Sequence, residues 1–176
     1  MPFAITLHLD PASAGRIDNL WHVLAAEGID ADRHDLGYPA HITLAIYPDG
    51  TPRDRLHVAL IHAAASWRTL PITLSGIGVF PGTFSILWAV PVVTRDLLTL
   101  HACLAEALPD LSVHPHYRPD TWIPHVTLTG PLPDPEPALK ALLGRWQPLT
   151  GTLVQADLVR FRPVEVLQSH ALPPTR

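Results

Sequence analysis

Cysteine is almost missing: Cys103 stands alone in 176 residues. That excludes a disulfide framework and a cysteine-built zinc site. Lysine is equally scarce, Lys140 being the only one, so nearly all basic charge is arginine. Charged residues make up only 16% of the chain, and the formal net charge is −4. Proteins that coat long nucleic acid carry a basic stripe, so that class is disfavoured, while a local site for a small anion is allowed. Residues 69 to 94 hold no charge at all, yet Pro71, Pro81, Pro91 and three glycines interrupt them. A membrane-crossing helix needs about 20 consecutive apolar residues, so two strands joined by a turn is the better reading. The first ten residues lack a basic n-region and a long apolar core, so no secretory signal is expected and a cytoplasmic protein is. Apolar residues, at 47%, suffice for a core, and the length fits a single domain of residues 1–176.

What is present is a pattern that occurs twice. His41-Ile42-Thr43-Leu44 and His125-Val126-Thr127-Leu128 lie 84 positions apart, each shortly after a proline. Strand side chains alternate faces with period two. As strands, the runs direct His41 and Thr43 to one side and Ile42 and Leu44 to the other, with His125 and Thr127 opposing Val126 and Leu128 in the same way. Two rigid elements with apolar backs would then present two imidazoles and two hydroxyls.

The surrounding elements repeat as well. Residues 3 to 9 alternate as a half-buried strand. Asp10-Pro11 caps a helix through Ile17, Leu20, Trp21 and Leu24, and Gly28 ends it. A polar loop with Asp32, Arg33 and Asp35 leads to the first motif. Thr51-Pro52 opens a helix facing inward with Leu56, Leu60, Ala63 and Trp67. Strands follow over 71–80 and 85–90. Thr94 caps a helix with Leu97, Leu100, Leu104 and Leu108, and a proline-rich extended segment delivers the second motif. Asp134-Pro135 caps a last helix with Leu139, Leu142, Leu143 and Trp146 inward, before strands over 151–161 and 164–172. The cap pairs Thr51-Pro52 and Asp134-Pro135 lie 83 residues apart, close to the offset of the motifs. The expectation is an α+β fold. Two pseudo-symmetric lobes of mainly antiparallel sheet, with helices on their outer faces, would face each other across a central cleft. The duplicated units span roughly 1–83 and 84–176.

A histidine pair can supply a neutral base and a protonated acid together near pH 7. Each role is worth on the order of 10² to 10⁴ in rate. Threonine hydroxyls between them can donate hydrogen bonds to the oxygens of an anionic centre. That constellation suits phosphoester cleavage without a metal.

The two motifs resemble the paired His-x-Thr-x motifs of the two-histidine phosphoesterase superfamily. More narrowly, the chain is similar to the bacterial 2′-5′ RNA ligase-like proteins, or RNA 2′,3′-cyclic phosphodiesterases. The resemblance spans nearly the whole chain, taking in Gly78-Val79-Phe80-Pro81, Leu87-Trp88-Ala89 and Pro124. It implies metal-independent opening of a cyclic phosphodiester, chiefly a 2′,3′-cyclic phosphate of a nucleotide or RNA end. His41 and His125 would be the catalytic pair, with His125 favoured as base and His41 as acid, and Thr43 and Thr127 would hold the phosphate. RNA-directed relatives often carry a basic residue just after the second motif, where this chain has Thr129-Gly130-Pro131. That departure weighs against polynucleotide substrates and ligase activity, and Arg118 is the candidate replacement.

Further candidates for substrate contact are His8, on the polar side of the first strand, and Tyr38, Tyr117 and Trp122, whose rings can stack on a base. Phe84, at a turn after Pro81-Gly82, is another. His114-Pro115-His116 has ligand-like spacing but no carboxylate or cysteine nearby, so no metal or other cofactor is expected. His22, His57, His62 and His101 fall on helices and read as surface or boundary residues. Two other functions compete: a non-catalytic binder of a phosphorylated, nucleotide-like ligand on the same fold, and a metal-dependent hydrolase drawing on the many histidines. A monomer is expected.

Overall fold

The computed structural model describes residues 1–175. The order is β1 (Phe3–Leu9), α1 (Pro11–Ala26), α2 (Asp32–Leu36), β2 (His41–Tyr47), α3 (Arg53–Ser66), β3 (Leu70–Phe80) and β4 (Ile86–Pro91). Then come α4 (Arg95–Ala107), a 3-10 turn over Pro115–Tyr117, β5 (Val126–Thr127), α5 (Glu136–Leu143), β6 (Leu149–Arg160) and β7 (Glu165–Ala171). The α+β expectation is met: all seven strands join one sheet, in the order β1-β2-β5-β4-β3-β6-β7, and all the pairings are antiparallel. β6 also pairs with β1, so six strands form a closed circuit. The long β6 makes this possible. Its first residues pair with β3, and from Leu153 onward it pairs with β1. Strands from the two sequence units thus interleave, β3 with β4 and β1 with β6.

One apolar core joins helices to strands. Ile17 and Leu24 of α1, Leu56 and Leu60 of α3 and Leu97 and Leu104 of α4 are buried against Leu7, Ile42, Leu44, Leu87, Val126 and Leu128. Asp10 caps α1 by accepting from the Ala12 and Ser13 amides at 3.1 and 3.0 Å, and it ties the helix to β6 by accepting from the Thr152 amide at 2.7 Å. Thr94 caps α4 through the Leu97 amide at 3.2 Å. Gly28 ends α1 with φ 67°, a conformation glycine adopts without steric cost.

Several expectations need correction. β1 is buried along its whole length rather than half-buried, because it lies between β2 and β6 and its second face is covered too. Thr51 does not cap α3; its hydroxyl turns back to the Pro48 carbonyl. The loop before the first motif contains the helix α2. Leu143 is 59% exposed, and Ala138, Ala141 and Leu142 form the inner face of α5 instead. The second motif contributes only two residues to its strand. Pro124 supplies no amide before it, and at its far end the Thr129 hydroxyl accepts from the Leu87 amide at 3.0 Å. No helix among the described residues is long and apolar enough to cross a membrane.

Candidate active site

The middle of the sheet brings the two motifs side by side. Ile42 of β2 pairs with Val126 of β5. In an antiparallel pair that register sets His41 opposite Thr127 and Thr43 opposite His125. The motifs alternate as period two requires: Ile42, Leu44, Val126 and Leu128 are fully buried in the core, while His41, Thr43, His125 and Thr127 are half-buried on the other face. There they line a cleft of about 340 Å³. Each half of the chain therefore contributes one histidine and one threonine, and each histidine faces the other half's threonine.

Both rings are held in the same way. His41 Nδ1 lies 2.7 Å from the Pro39 carbonyl and His125 Nδ1 lies 2.8 Å from the Ile123 carbonyl, two residues back in each case. A carbonyl only accepts, so Nδ1 carries the proton and Nε2 is the nitrogen available to a ligand. The threonine backbones are braced across the halves. The Trp21 indole donates to the Thr127 carbonyl at 3.2 Å, and the Trp122 indole donates to the Thr43 carbonyl at 3.0 Å. Phe80 stacks on Trp88 with centroids 4.9 Å apart and meets His125 edge-on at 5.0 Å. Gly78 allows this, since a Cβ there would lie 2.5 Å from the Trp88 ring.

A buried polar network lies beneath His41. Tyr38 Oη donates to Asp157 Oδ2 at 3.1 Å and lies 2.8 Å from Thr6 Oγ1 and 2.7 Å from His8 Nε2. The single phenol proton goes to Asp157, so Thr6 donates to Tyr38, and the His8 Nε2 proton is shared between Tyr38 Oη and Asp157 Oδ2, the latter 3.1 Å away. The Gln155 amide adds a bond to Asp157 Oδ1 at 2.9 Å. Burial opposes ionisation of Asp157, but hydrogen bonds led by that from His8 outweigh it and hold the carboxyl below its ordinary value. Burial likewise raises the Tyr38 phenol well above its ordinary value. The Tyr38 ring meets His41 edge-on, centroids 4.9 Å apart.

Burial pushes the His41 imidazole down from 6.5 to about 4, and repulsion by His8 and His125 adds to this against the Pro39 hydrogen bond. His125 is also lowered by burial, opposed by its bond to the Ile123 carbonyl.

The remaining candidates are placed variously. Tyr117 lines the cleft, and Tyr38 does so with its hydroxyl committed to the network. His8 is buried behind Tyr38 and does not line the cleft. Trp122 is buried, with its ring stacked on His101 at 4.0 Å and 6° between planes, so that face is not open to a base. His101 is itself buried and bonded to the Tyr117 carbonyl at 3.0 Å, not at the surface. Phe84 is 57% exposed and Arg118 borders a different hollow, beside α4; neither lines the cleft.

Two residues that sequence reasoning passed over do line it. Arg33, expected in a solvated loop, projects from α2 with only 14% of its side chain exposed, and Arg162 comes from the β6–β7 turn. Both bind Asp32. Arg162 forks onto its two oxygens at 2.6 and 2.8 Å, and Arg33 Nε approaches at 2.8 Å. The only available signal was the Asp32-Arg33 pair, five residues before Tyr38. Among the described residues, no group of three or more potential ligands is placed to hold a metal ion.

This scaffold, an antiparallel sheet carrying one His-x-Thr from each half on its open face, is that of a two-histidine phosphoesterase. A family model for the 2′-5′ RNA ligase superfamily matches residues 9–165, and the chain belongs to that superfamily, an enzyme class of phosphodiester chemistry. Among solved structures, TT0787 of Thermus thermophilus is 18% identical over all of both chains, with a TM-score of 0.68. E. coli LigT complexed with 3′-AMP is 18% identical, covering 98% of this chain and 99% of its own, with a TM-score of 0.65. Usb1 of Kluyveromyces marxianus is 10% identical, covering 98% and 97%, at 0.50. At these identities the likeness is one of fold. Comparison with curated proteins finds no match.

Proposed function

We propose that this chain is a metal-independent cyclic phosphodiesterase acting on a 2′,3′-cyclic phosphate, carried by a nucleotide or by an RNA end. The observation that carries the reading is the symmetric pinning of His41 and His125 through Nδ1, which leaves Nε2 of both to one cleft. One Nε2, neutral, takes a proton from water as the water oxygen bonds to phosphorus. The other histidine, as imidazolium, gives its proton to the departing ribose oxygen as the P–O bond breaks. The balance is addition of one water, giving a phosphomonoester and a free hydroxyl. Thr43 and Thr127 donate to the non-bridging oxygens, where fixed donors stabilise developing charge.

The repulsion between His41 and His125 is mutual, and at His41 the repulsion of His8 is opposed by the attraction of Asp157, so either histidine of the pair can serve as the base and the other as the acid. The cleft volume, about 340 Å³, falls at the small end of the roughly 300–1,000 Å³ range of ligand pockets. That suits a nucleotide-sized group, and E. coli LigT has been solved with 3′-AMP, ATP and NADP+. The test is hydrolysis of the four 2′,3′-cyclic nucleotides in excess chelator, with 2′- and 3′-phosphate products separated by chromatography. Turnover supports the reading, and the product isomer names the leaving oxygen. Loss of activity with chelator, restored by a divalent cation, overturns the metal-independent mechanism. Binding without turnover of any of the four leaves a ligand-binding role.

A further inference from the structure

We infer that Arg162, braced by Asp32, forms a second anion subsite in the cleft, and that the substrate carries a second phosphate besides the cyclic one. The inference rests on the reading above and goes on to specify the substrate class.

The charged side chains on the cleft wall itself are all basic. Among the described residues lining it, Arg33 and Arg162 are charged and there is no carboxylate. Asp32 and Asp30 sit behind the wall, Asp32 paired with both guanidiniums and Asp30 with the Gly130 amide, so the face open to a ligand presents guanidinium N–H groups and no carboxylate. A second phosphodiester supplies about one negative charge, and a phosphomonoester about 1.5 to 2 at pH 7.

The two guanidiniums share Asp32 Oδ2 but differ in exposure. Arg33 borders the narrow recess it shares with His41 and Thr127, beside the reacting phosphate. Arg162 is half exposed, next to Phe161 on the cleft wall. Its fork onto Asp32 uses two of five N–H donors, which leaves three for a ligand. The scaffold around it is rigid. Asp32 is clasped by both arginines, and Gly130 packs so closely that a Cβ there would come 2.8 Å from the Asp32 Cβ. The Gly130 amide is held in turn by Asp30 Oδ2 at 2.9 Å. A guanidinium fixed by a carboxylate behind it is pre-organised for a phosphate in front. The nucleoside would lie between the reacting phosphate and Arg162, against Phe80, Tyr117 and Phe161 of the cleft wall.

The experiment compares adenosine 2′,3′-cyclic phosphate with its 5′-phosphorylated form, in the natural protein and in Arg162→Ala. The quantity read is the ratio of kcat/KM between the two substrates. The expected ratio is tenfold or more in the natural protein, falling to within about twofold of one in Arg162→Ala, with Arg162→Lys recovering part of it. A ratio near one in the natural protein overturns the proposal, as does a high ratio that persists in Arg162→Ala. Calorimetric binding of adenosine 2′,5′-bisphosphate against 2′-AMP separates this from failure of the catalytic reading. A bisphosphate preference lost in Arg162→Ala, without turnover of either cyclic nucleotide, sinks the phosphodiesterase and keeps the subsite. Equal affinity for the two ligands overturns the subsite whatever the turnover.

Discussion

Replacing Tyr38 with phenylalanine separates what this residue does for the fold from what it does for the cleft. The ring stays, so its edge-on contact with His41 and its place in the cleft wall are kept. Three hydrogen bonds go. The His8 imidazole keeps Asp157 Oδ2 within reach at 3.1 Å, so its loss is partly made good. The bond from the phenol to the ionised Asp157 is of the kind worth about 1.5–3 kcal/mol, and the bond from Thr6 about 1 kcal/mol. Thr6 is 1% exposed and Asp157 likewise, so water cannot replace the lost partner. The expected loss is about 3 kcal/mol of folding stability, or a fall in Tm of about 6–12 °C for a chain of this length. The assay is urea or thermal unfolding followed by circular dichroism, beside kcat/KM on a cyclic nucleotide at a temperature where both proteins are folded. The rate constant should stay within about threefold. A stability change under 0.5 kcal/mol would refute the network as described. Intact stability with a hundredfold loss of kcat/KM would mean that the hydroxyl addresses substrate instead.

Other perturbations read other parts of the site. With both histidines below 6.5, kcat/KM, which reports the free enzyme, should peak on the acid side of 6.5. It should fall toward pH 8 as the acid histidine loses its proton, and again near pH 4 as the base gains one. The profile of kcat should lie further alkaline, because a bound anion favours the imidazolium; a flat kcat/KM between pH 5 and 8 would contradict the pairing. Trp122→Phe removes the donor to the Thr43 carbonyl, and leaving that buried acceptor unpaired costs about 1–3 kcal/mol, measurable by chemical denaturation. Gly78→Ala drives a methyl into Trp88 and hence shifts Phe80 against His125. It should lower kcat/KM by at least tenfold, a loss that a crystal structure of the variant would trace to the displaced indole.

The legible parts of the molecule were those written locally. Period two in 41–44 and 125–128 and the caps at Asp10 and Thr94 depend on neighbours in sequence, and each forms as its residues direct. What was not legible depends on distant partners. β1 reads as half-buried because its alternation is real: Thr6 and His8 do face away from the apolar core. Only the folded chain lays Tyr38 and Asp157 over that face. Arg33 and Arg162 are 129 positions apart and meet through Asp32, so neither stands out alone. Trp122 looks like a stacking platform beside the second motif until His101, from α4, covers its ring. The strand pairing of β6 with both β1 and β3 follows from its length, which the sequence hinted at only through Gly151 to Phe161.

The most direct test of the account is turnover of a 2′,3′-cyclic nucleotide by the natural protein, His41→Ala, His125→Ala and the double variant, all in excess chelator. If the two rings act as one acid–base pair, each single change lowers kcat by about 10² to 10⁴, with substrate affinity little altered, and the double variant is scarcely worse than the poorer single one. Turnover that survives either single change within tenfold would contradict the paired mechanism.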